Sequence, residues 1–431
     1  MKFKLIIIFL FFVGTTFSQS EVYYFKDSES KLTYKNIEKE EFQVLEKRVL
    51  EKYSKATFWF KIPANQSDLD YIFRINNVII KDAHAYQNYQ EVKKLKNQRF
   101  VSYKFSRQSP LYVKVNAKFN SYFPIELKTE EATLYKDKIE LLIDGFYYGI
   151  AFLVVLFCIV YFYFFKDNSF LYYSFLLVSL TFSFLVTDGI FKFFNLGDKA
   201  IEFLILLNYL FLAYSSSKFA NSFLLLDIYY PKIKKYTHII IVSIILFVNL
   251  YLVYSKNAIF IIINILTFIL LLTYWFMGVL LFKKDLHTKL FTFGYVILLF
   301  SGIDFFVLKN LGISFFESSS ANLKIGGFAQ ILILSFAIMS REKKLRRHNY
   351  YIKNEIINFN KVSKKPNLID AERASIEETL NNLSVRERVI YDQIIEGKLN
   401  REIADEIKIS SNTVKFHTIN IYEKLNLEKT E

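Results

Sequence analysis

Cysteine is almost absent from this chain of 431 residues, which has one, Cys158. A lone cysteine cannot close an internal disulfide or build a thiolate metal cluster, and its place in an apolar run marks it as a buried core thiol. Histidine is scarce too: His84, His238, His287, His348 and His417 are scattered without metal-ligand spacing. There is no P-loop, no GxSxG elbow, no HExxH helix and no glycine-rich ATP lid. The expectation is therefore no enzyme, no cofactor and no metal. Positive charge is missing where it would matter most for nucleic acid. From 383 to 431, eight Lys/Arg meet nine Asp/Glu, a net of −1.

What the chain has in excess is apolar and aromatic. It is 53% hydrophobic and 18% aromatic, with 47 Phe and 30 Tyr. Those fractions exclude disorder, a collagen-like repeat and a disulfide scaffold, and the length leaves room for two or three domains. The net charge of +14 is concentrated: residues 341–365 hold nine Lys/Arg against two Glu. That cluster comes just after the last apolar segment and suits an anionic membrane face better than a DNA groove.

The N-terminus reads as a secretory signal peptide over 1–18. Lys2 and Lys4 precede "LIIIFLFFVG", and Thr16 and Ser18 stand at −3 and −1 of the expected cut. A short first membrane anchor is the alternative, and either one exports the next stretch of chain. Residues 19–144 contain period-2 segments at 55–63, 70–86, 99–105, 111–119 and 123–130, punctuated by Asn, Asp, Ser and Pro. They predict an antiparallel β-sandwich, with a helix expected at 36–53.

Past Gly145 come seven apolar stretches, at 146–165, 169–188, 201–223, 237–255, 258–282, 289–308 and 322–340. Each is near the length that crosses a bilayer as a helix. With an exported N-terminus, seven crossings put the C-terminus in the cytoplasm. Loop charges agree: Lys166, Lys232, Lys234, Lys235, Lys283, Lys284 and Lys289 fall inside, against Lys192, Lys199, Lys256 and Lys309 outside. After the last span, residues 341–381 form a juxtamembrane helix and linker. Leu345, Ile352, Ile356 and Phe359 there mark either a short coiled-coil seam or a solvated helix.

Residues 382–431 read as three helices. Ser384 and Glu387 form a capping box, with Val389, Ile390, Ile394 and Ile395 facing inward and Gly397 ending the helix. Asn400 caps a short second helix, and a turn at "IKIS" leads to a third from Ser411 or Asn412. Its buried stripe is Val414, Thr418 (or His417), Ile421 and Leu425. Thr413, Lys415, Phe416, Ile419 and Asn420 are left on the opposite face. This is a helix-turn-helix arrangement.

"LSVRERVI…EGKLNREIADEIKISSNTVKFHTINIYEKL" resembles the LuxR/GerE-type DNA-binding domain. The matches are Leu383, Arg386–Glu387, Gly397, Asn400–Ala404, Thr413, Val414, Lys415, His417, Ile421, Lys424 and Leu425, in one register. The resemblance implies a partner, double-stranded DNA, with a recognition helix at about 411–424 in the major groove. Ser411 opens that helix; Thr413, Arg401 and Lys424 lie near phosphates. Lys415, Phe416, Ile419 and Asn420 lie nearest the base edges. His417 is expected as a packing residue. The family's fourth, pairing helix has no counterpart before Glu431, so a homodimer is expected to form through the 341–360 helix or the membrane region.

The rest of the chain is similar to bacterial seven-transmembrane receptors with diverse intracellular signalling modules. "KIGGFAQILILSFAIMSREKKLRR" at 324–347 looks like that family's last helix, and "WFKIP" and "YFPIEL" echo the small exported domain of one branch. The resemblance implies a periplasmic small-molecule or carbohydrate ligand, lipid around the spans and a bacterial inner membrane. The expected fold is a multidomain membrane protein: exported β-sandwich, seven-helix transmembrane bundle and all-α LuxR-type helix-turn-helix tail. A receptor whose tail binds a cytoplasmic protein partner is the alternative. A transporter is not supported, for lack of inverted repeats or a midplane site. Asp188, Asp304 and Lys324 are the costly polar groups of the spans. An Asp304–Lys324 bridge between the sixth and seventh helices, or plain interfacial placement, are the two readings. Lys324 lies too near the helix entrance for a retinal-type Schiff base.

Overall fold

The computed structural model describes residues 21–427 apart from 46–47, 52–55, 79, 81, 117–120, 195, 316–319, 364–376, 410 and 426. The expected signal peptide lies outside the described residues.

The exported domain is a β-sandwich. Its strands are β1 (Tyr23–Asp27), β2 (Gln43–Val44), β3 (Val49–Glu51), β4 (Thr57–Ile62), β5 (Asp70–Ile75) and β6 (Ala83–Gln87), then β7 (Gln90–Val92), β8 (Val101–Ser106), β9 (Leu111–Asn116), β10 (Ser121–Phe123) and β11 (Ile125–Thr129). They form an antiparallel sheet in the order β2-β1-β4-β9-β6-β7, a second of β11-β5-β8, and a β10-β3 pair. Alternation decides the faces. Phe58, Phe60 and Ile62 of β4 point into the sandwich with Phe73, Ile75 and Tyr103 of the facing sheet. Trp59, between them, points the other way and packs on Ile37 and Tyr112. The central strand is thus buried on both faces.

The helix expected at 36–53 does not form. A single turn, Tyr34–Ile37, is succeeded by β2 and β3, which pair with β1 and β10. Leu45 and Val49 are four apart, as a helix face requires, yet both fill the sandwich core as extended chain. Strand pairing with the domain outweighs the local Glu- and Lys-rich helix preference.

Among the described residues, seven helices are long and apolar enough to cross a membrane. They are Glu130–Phe165, Asn168–Thr187, Asp198–Phe223, Ile233–Tyr254, Asn257–Leu280, Leu286–Gly302 and Ser320–Ser363. The first and last have 36 and 44 residues, about 54 and 66 Å at 1.5 Å per residue. Both overshoot the hydrocarbon core, the first on the exported side and the last into the cytoplasm. Aromatic and aliphatic side chains such as Phe152, Leu246 and Phe336 stay exposed on the bundle's outer face, where lipid tails would cover them. The sixth span continues as a π-helical turn, Ile303–Leu308, and a tight turn, Lys309–Leu311. Gly326 and Gly327 let the seventh span nest deeply. A Cβ at 327 would lie 2.9 Å from the Tyr147 hydroxyl, and one at 326 would lie 3.2 Å from the Leu298 amide.

No linker separates the β-domain from the bundle. β11 runs straight into the first span, with Thr129 as its N-cap. Arg74 of β5 then grips the exported stalk of that span: its two terminal nitrogens donate to Asp137 at 2.6 and 2.7 Å. Arg74 is buried, and its Nε donates to Ser102. Removing one partner of such a pair strands the other in a poorly hydrated place, at about 3–5 kcal/mol. Arg74→Ala should therefore lower the temperature at which the β-domain unfolds in the intact protein. It should also open the 129–137 junction to limited proteolysis while leaving the bundle's own unfolding unchanged.

Candidate nucleic-acid interface and its link to the exported side

The tail folds as three helices: Val385–Ile395, Asn400–Glu406 and Ser411–Lys424. The capping box forms, with the Ser384 amide donating to Glu387 and the Glu387 amide donating to the Ser384 hydroxyl. Gly397 closes the first helix at φ +81°. Val414, Thr418, Ile421 and Leu425 are all buried, and Thr418 donates back to the Val414 carbonyl at 2.8 Å. Two local expectations are corrected. Val389 is 41% exposed and Tyr391 takes the inward position beside Ile390 and Ile394. Asn400 is the first helical residue and not the cap. The Leu399 amide is instead satisfied by the Glu402 carboxylate at 2.7 Å.

The cytoplasmic part of the seventh span completes this domain. Ile352 and Ile356 lie in one apolar cluster with Leu383, Ile390, Ile403, Val414 and Ile421, and Phe359 packs at its edge. Lys353 donates to the Lys398 carbonyl at 2.7 Å. Ile352, Ile356 and Phe359, three of the four residues that suggest a coiled-coil seam, are therefore covered by the tail of the same chain. Four apolar positions on a helix face carry no label for which surface they meet.

The expected DNA-contacting residues divide in two. Arg401 is half-exposed, with Asp405 at 3.9 Å, and Phe416 is 45% exposed beside His417. Ser411, Thr413 and Asn420 are partly buried. Ile419 packs against the cluster that holds Ile352 and Ile356. Lys424 reaches Glu387 at 2.7 Å and the Asn382 carbonyl. Lys415 is enclosed, with a side chain only 12% exposed and its Nζ 3.7 Å from Glu342. Glu342 is buried, one oxygen accepting from Arg346 and the other without a hydrogen bond. A duplex cannot approach Lys415 while the tail is seated there.

Glu342 belongs to a polar girdle at the inner end of the bundle. Its neighbour Arg341 donates to Asp167 at 2.9 Å, to Ser169, and to the Ser222 carbonyl. The seventh span is thereby tied to the turn after the first span and to the end of the third. At the outer end the same helix carries Lys324, which pairs with Asp144 of the first span and lies 3.2 Å from Asp188 after the second. Asp144 also receives Arg99 of the sensor domain at 3.2 Å, and Tyr148 and Ser320 donate to Asp188. Gly189, at φ +72°, lets this turn press on the sensor: a Cβ would sit 2.8 Å from the Arg99 carbonyl. The expected Asp304–Lys324 bridge does not form. Asp304 instead accepts from the Phe315 amide at 2.7 Å and from Ser314. These partners lie in the loop just beyond it.

Sequence reading singles out neither Asp144, Arg99, Asp167 nor Glu342. A signal exists for three of them: Asp144 stands just before an apolar run, Asp167 between two, and Glu342 just after one. Among the described residues no His, Cys, Asp and Glu side chains gather in a group able to hold a metal ion.

The geometry defines a class: a multi-pass membrane receptor with an extracytoplasmic β-domain and a helix-turn-helix tail. Comparison with known families agrees for each part. Residues 19–137 match 7TMR-DISM extracellular 2, and residues 140–341 match 7TM diverse intracellular signalling. Residues 381–430 match the bacterial regulatory proteins of the luxR family. No curated protein matches the chain. The chain is thus a 7TMR-DISM receptor ending in a LuxR-family (GerE) domain.

Glu387 offers a test of the tail's own wiring. Burial works to raise its pKa, but the Lys424 ammonium and the Ser384 amide and hydroxyl overcome that and hold it down at about 2, against an ordinary 4.5. A carboxyl depressed on folding stabilises above its unfolded pKa and loses that contribution as pH falls through the folded value. The tail should therefore lose stability between about pH 4.5 and pH 2. Glu387→Gln should remove about 1 kcal/mol at neutral pH and flatten this acid limb in urea unfolding.

Proposed function

We propose that the protein is a one-component signal receptor and transcriptional regulator of a bacterial inner membrane. A periplasmic ligand biases the packing of the bundle, and the tail binds double-stranded DNA. No catalytic step is involved. One observation supports this above the others: a single unbroken helix, Ser320–Ser363, carries Lys324 in the sensor-side charge cluster and Glu342 against Lys415 of the reading helix. Both ends of the signal path thus sit on one rigid element.

The arrangement described is the closed one. With Lys415 seated against Glu342 and Ile419 against the juxtamembrane cluster, the reading face is not free. Moving the seventh span relative to Asp144 and Asp188 would shift Glu342 and the Asp167–Arg341 girdle together and unseat the tail. Unseating would also bare Ile352 and Ile356, which then pair with a second copy. Two tails bring two sets of phosphate contacts, which a domain of net −1 needs for firm binding. A ligand drives this only by binding the open and closed states with different affinity.

Genome-wide crosslinking of the tagged full-length protein tests it. Sharp peaks lost in Lys415→Ala are expected. Glu342→Lys should raise occupancy without ligand by roughly fivefold, the equivalent of about 1 kcal/mol of docking contact. A cysteine at 356 should cross-link between copies in that variant and not in the parent. Absence of peaks even from the overexpressed tail would favour a cytoplasmic protein as the tail's partner.

A further inference from the structure

The β-domain and the spans do not meet in a solid core. Between them lies a cavity of about 210 Å³. The β-domain contributes Asn76, Asn77 and Tyr122, and the Asn77 side-chain amide donates to the Tyr122 carbonyl at 2.9 Å. The second to sixth spans contribute the rest, from Val186 at the end of the second to Phe305 and Phe306 in the π-helical turn that continues the sixth. Turns of that kind recur at functional sites.

Charge in this wall is already matched. Lys309 is buried, donating to the Tyr122 hydroxyl and lying over the Tyr122 and Phe305 rings at 4.6 and 4.7 Å. Glu202 accepts from the Tyr251 hydroxyl, and Lys192 is engaged as well. A charged ligand would have to take one of these groups from its partner, and leaving a buried partner unmatched is strongly unfavourable. What the wall offers instead is ring surface, from Tyr209, Tyr251, Phe260, Phe305 and Phe306, set among Ile201, Ile205 and Ile261. Aromatic rings meet best offset-stacked or edge-to-face, contacts that a ring ligand makes and a saturated chain does not. An apolar cavity of about 150 Å³ takes a benzene ring. One of about 210 Å³ holds two fused rings. A polar anchor stands beside them: Asn76 gives one of its two amide hydrogens to Glu126 at 3.0 Å, so its carboxamide keeps capacity for a second partner.

We infer that this cavity is the binding site for an uncharged aromatic molecule of two fused rings that bears one hydrogen-bonding group. The rings lie among Tyr209, Phe260 and Phe306, and the polar edge meets the Asn76 carboxamide. The inference rests on the chain being a receptor and supplies its ligand class. An apolar, aromatic pocket with a few polar groups, placed where two domains meet, is the usual form of a small-molecule site. Its walls belong to the β-domain and to five spans, so a shift between those parts changes its shape. An occupant then binds one arrangement better than another, which is what a signalling ligand requires.

The test uses the full-length protein in nanodiscs and 6-azido-2-naphthol as photoprobe. Cross-links are expected on the third, fifth and sixth spans where they line the cavity. Unlabelled 2-naphthol should compete at least tenfold better than 2-naphthoate, its charged analogue, or decanol, an uncharged chain. Ile205→Trp and Ile261→Trp fill the cavity from two different spans. Each should cut labelling at least tenfold, whereas Ile205→Ala should preserve it, and thermal unfolding equal to the parent's confirms that a variant has folded. Equal competition by 2-naphthoate overturns the uncharged class, and equal competition by decanol overturns the ring. Labelling that is absent, or spread over lipid-facing residues such as Phe152 and Leu246 and indifferent to both substitutions, overturns the site. So does a phospholipid that native mass spectrometry finds retained by the parent and lost in Ile205→Trp, because a bilayer chain is then the occupant. None of these readouts involves DNA, so failure of the site and failure of the regulator reading are separate results.

Discussion

Lys324 is the group on which the rest of the molecule depends. An ammonium near the outer end of a transmembrane helix is costly unless paired, and here two carboxylates from two other spans share it. One of them, Asp144, is shared again with Arg99 of the sensor. Three pieces of the protein are thus held by one cluster of shared charges. Such a cluster is not continuously deformable. It favours a small number of discrete arrangements, which is the property a switch needs.

What makes the cluster consequential is the length of the helix that carries it. From Lys324 to Glu342 the seventh span runs without a break, about 27 Å at 1.5 Å per residue. A tilt or slide at the outer end therefore arrives undiminished at the girdle of Arg341 and Asp167. Beyond the girdle, Ile352 and Ile356 present an apolar face that the tail of the same chain covers. In the proposed mechanism a second copy would use that same face, so docking of the tail and pairing of the chains would exclude each other.

Periodicity makes most of the architecture legible. Strands of alternating Phe, Tyr and Val, seven apolar runs and a capped three-helix tail each announce their period and their ends. The failures share a cause, which is that local pattern does not name a distant partner. Leu45 and Val49 fit a helix face until β1 and β10 take the backbone. Sequence offers Lys324 either Asp304, the carboxylate of the neighbouring span, or plain interfacial placement, and does not single out Asp144, its partner in the fold. Ile352 and Ile356 suggest a seam because their spacing is that of any buried helix face. The reading helix can be located residue by residue, but nothing in "TVKFHTIN" tells that Lys415 is seated against a buried glutamate.

The strength of that seating sets what a ligand must do. Burying two isoleucine side chains contributes at most about 2–3 kcal/mol each, and the Lys415–Glu342 pair, at 3.7 Å, adds about 1 kcal/mol. Against this stands whatever the open state regains, including pairing of the same isoleucines and freedom of the tail. The net bias toward the docked form is therefore smaller than that sum. Moving such an equilibrium from almost closed to almost open takes a differential affinity of about 5.5 kcal/mol. A ligand would supply it only if most of its contacts were made in one state. One held by the β-sandwich alone would have to act through Arg74, Arg99 and the strand that continues into the first span.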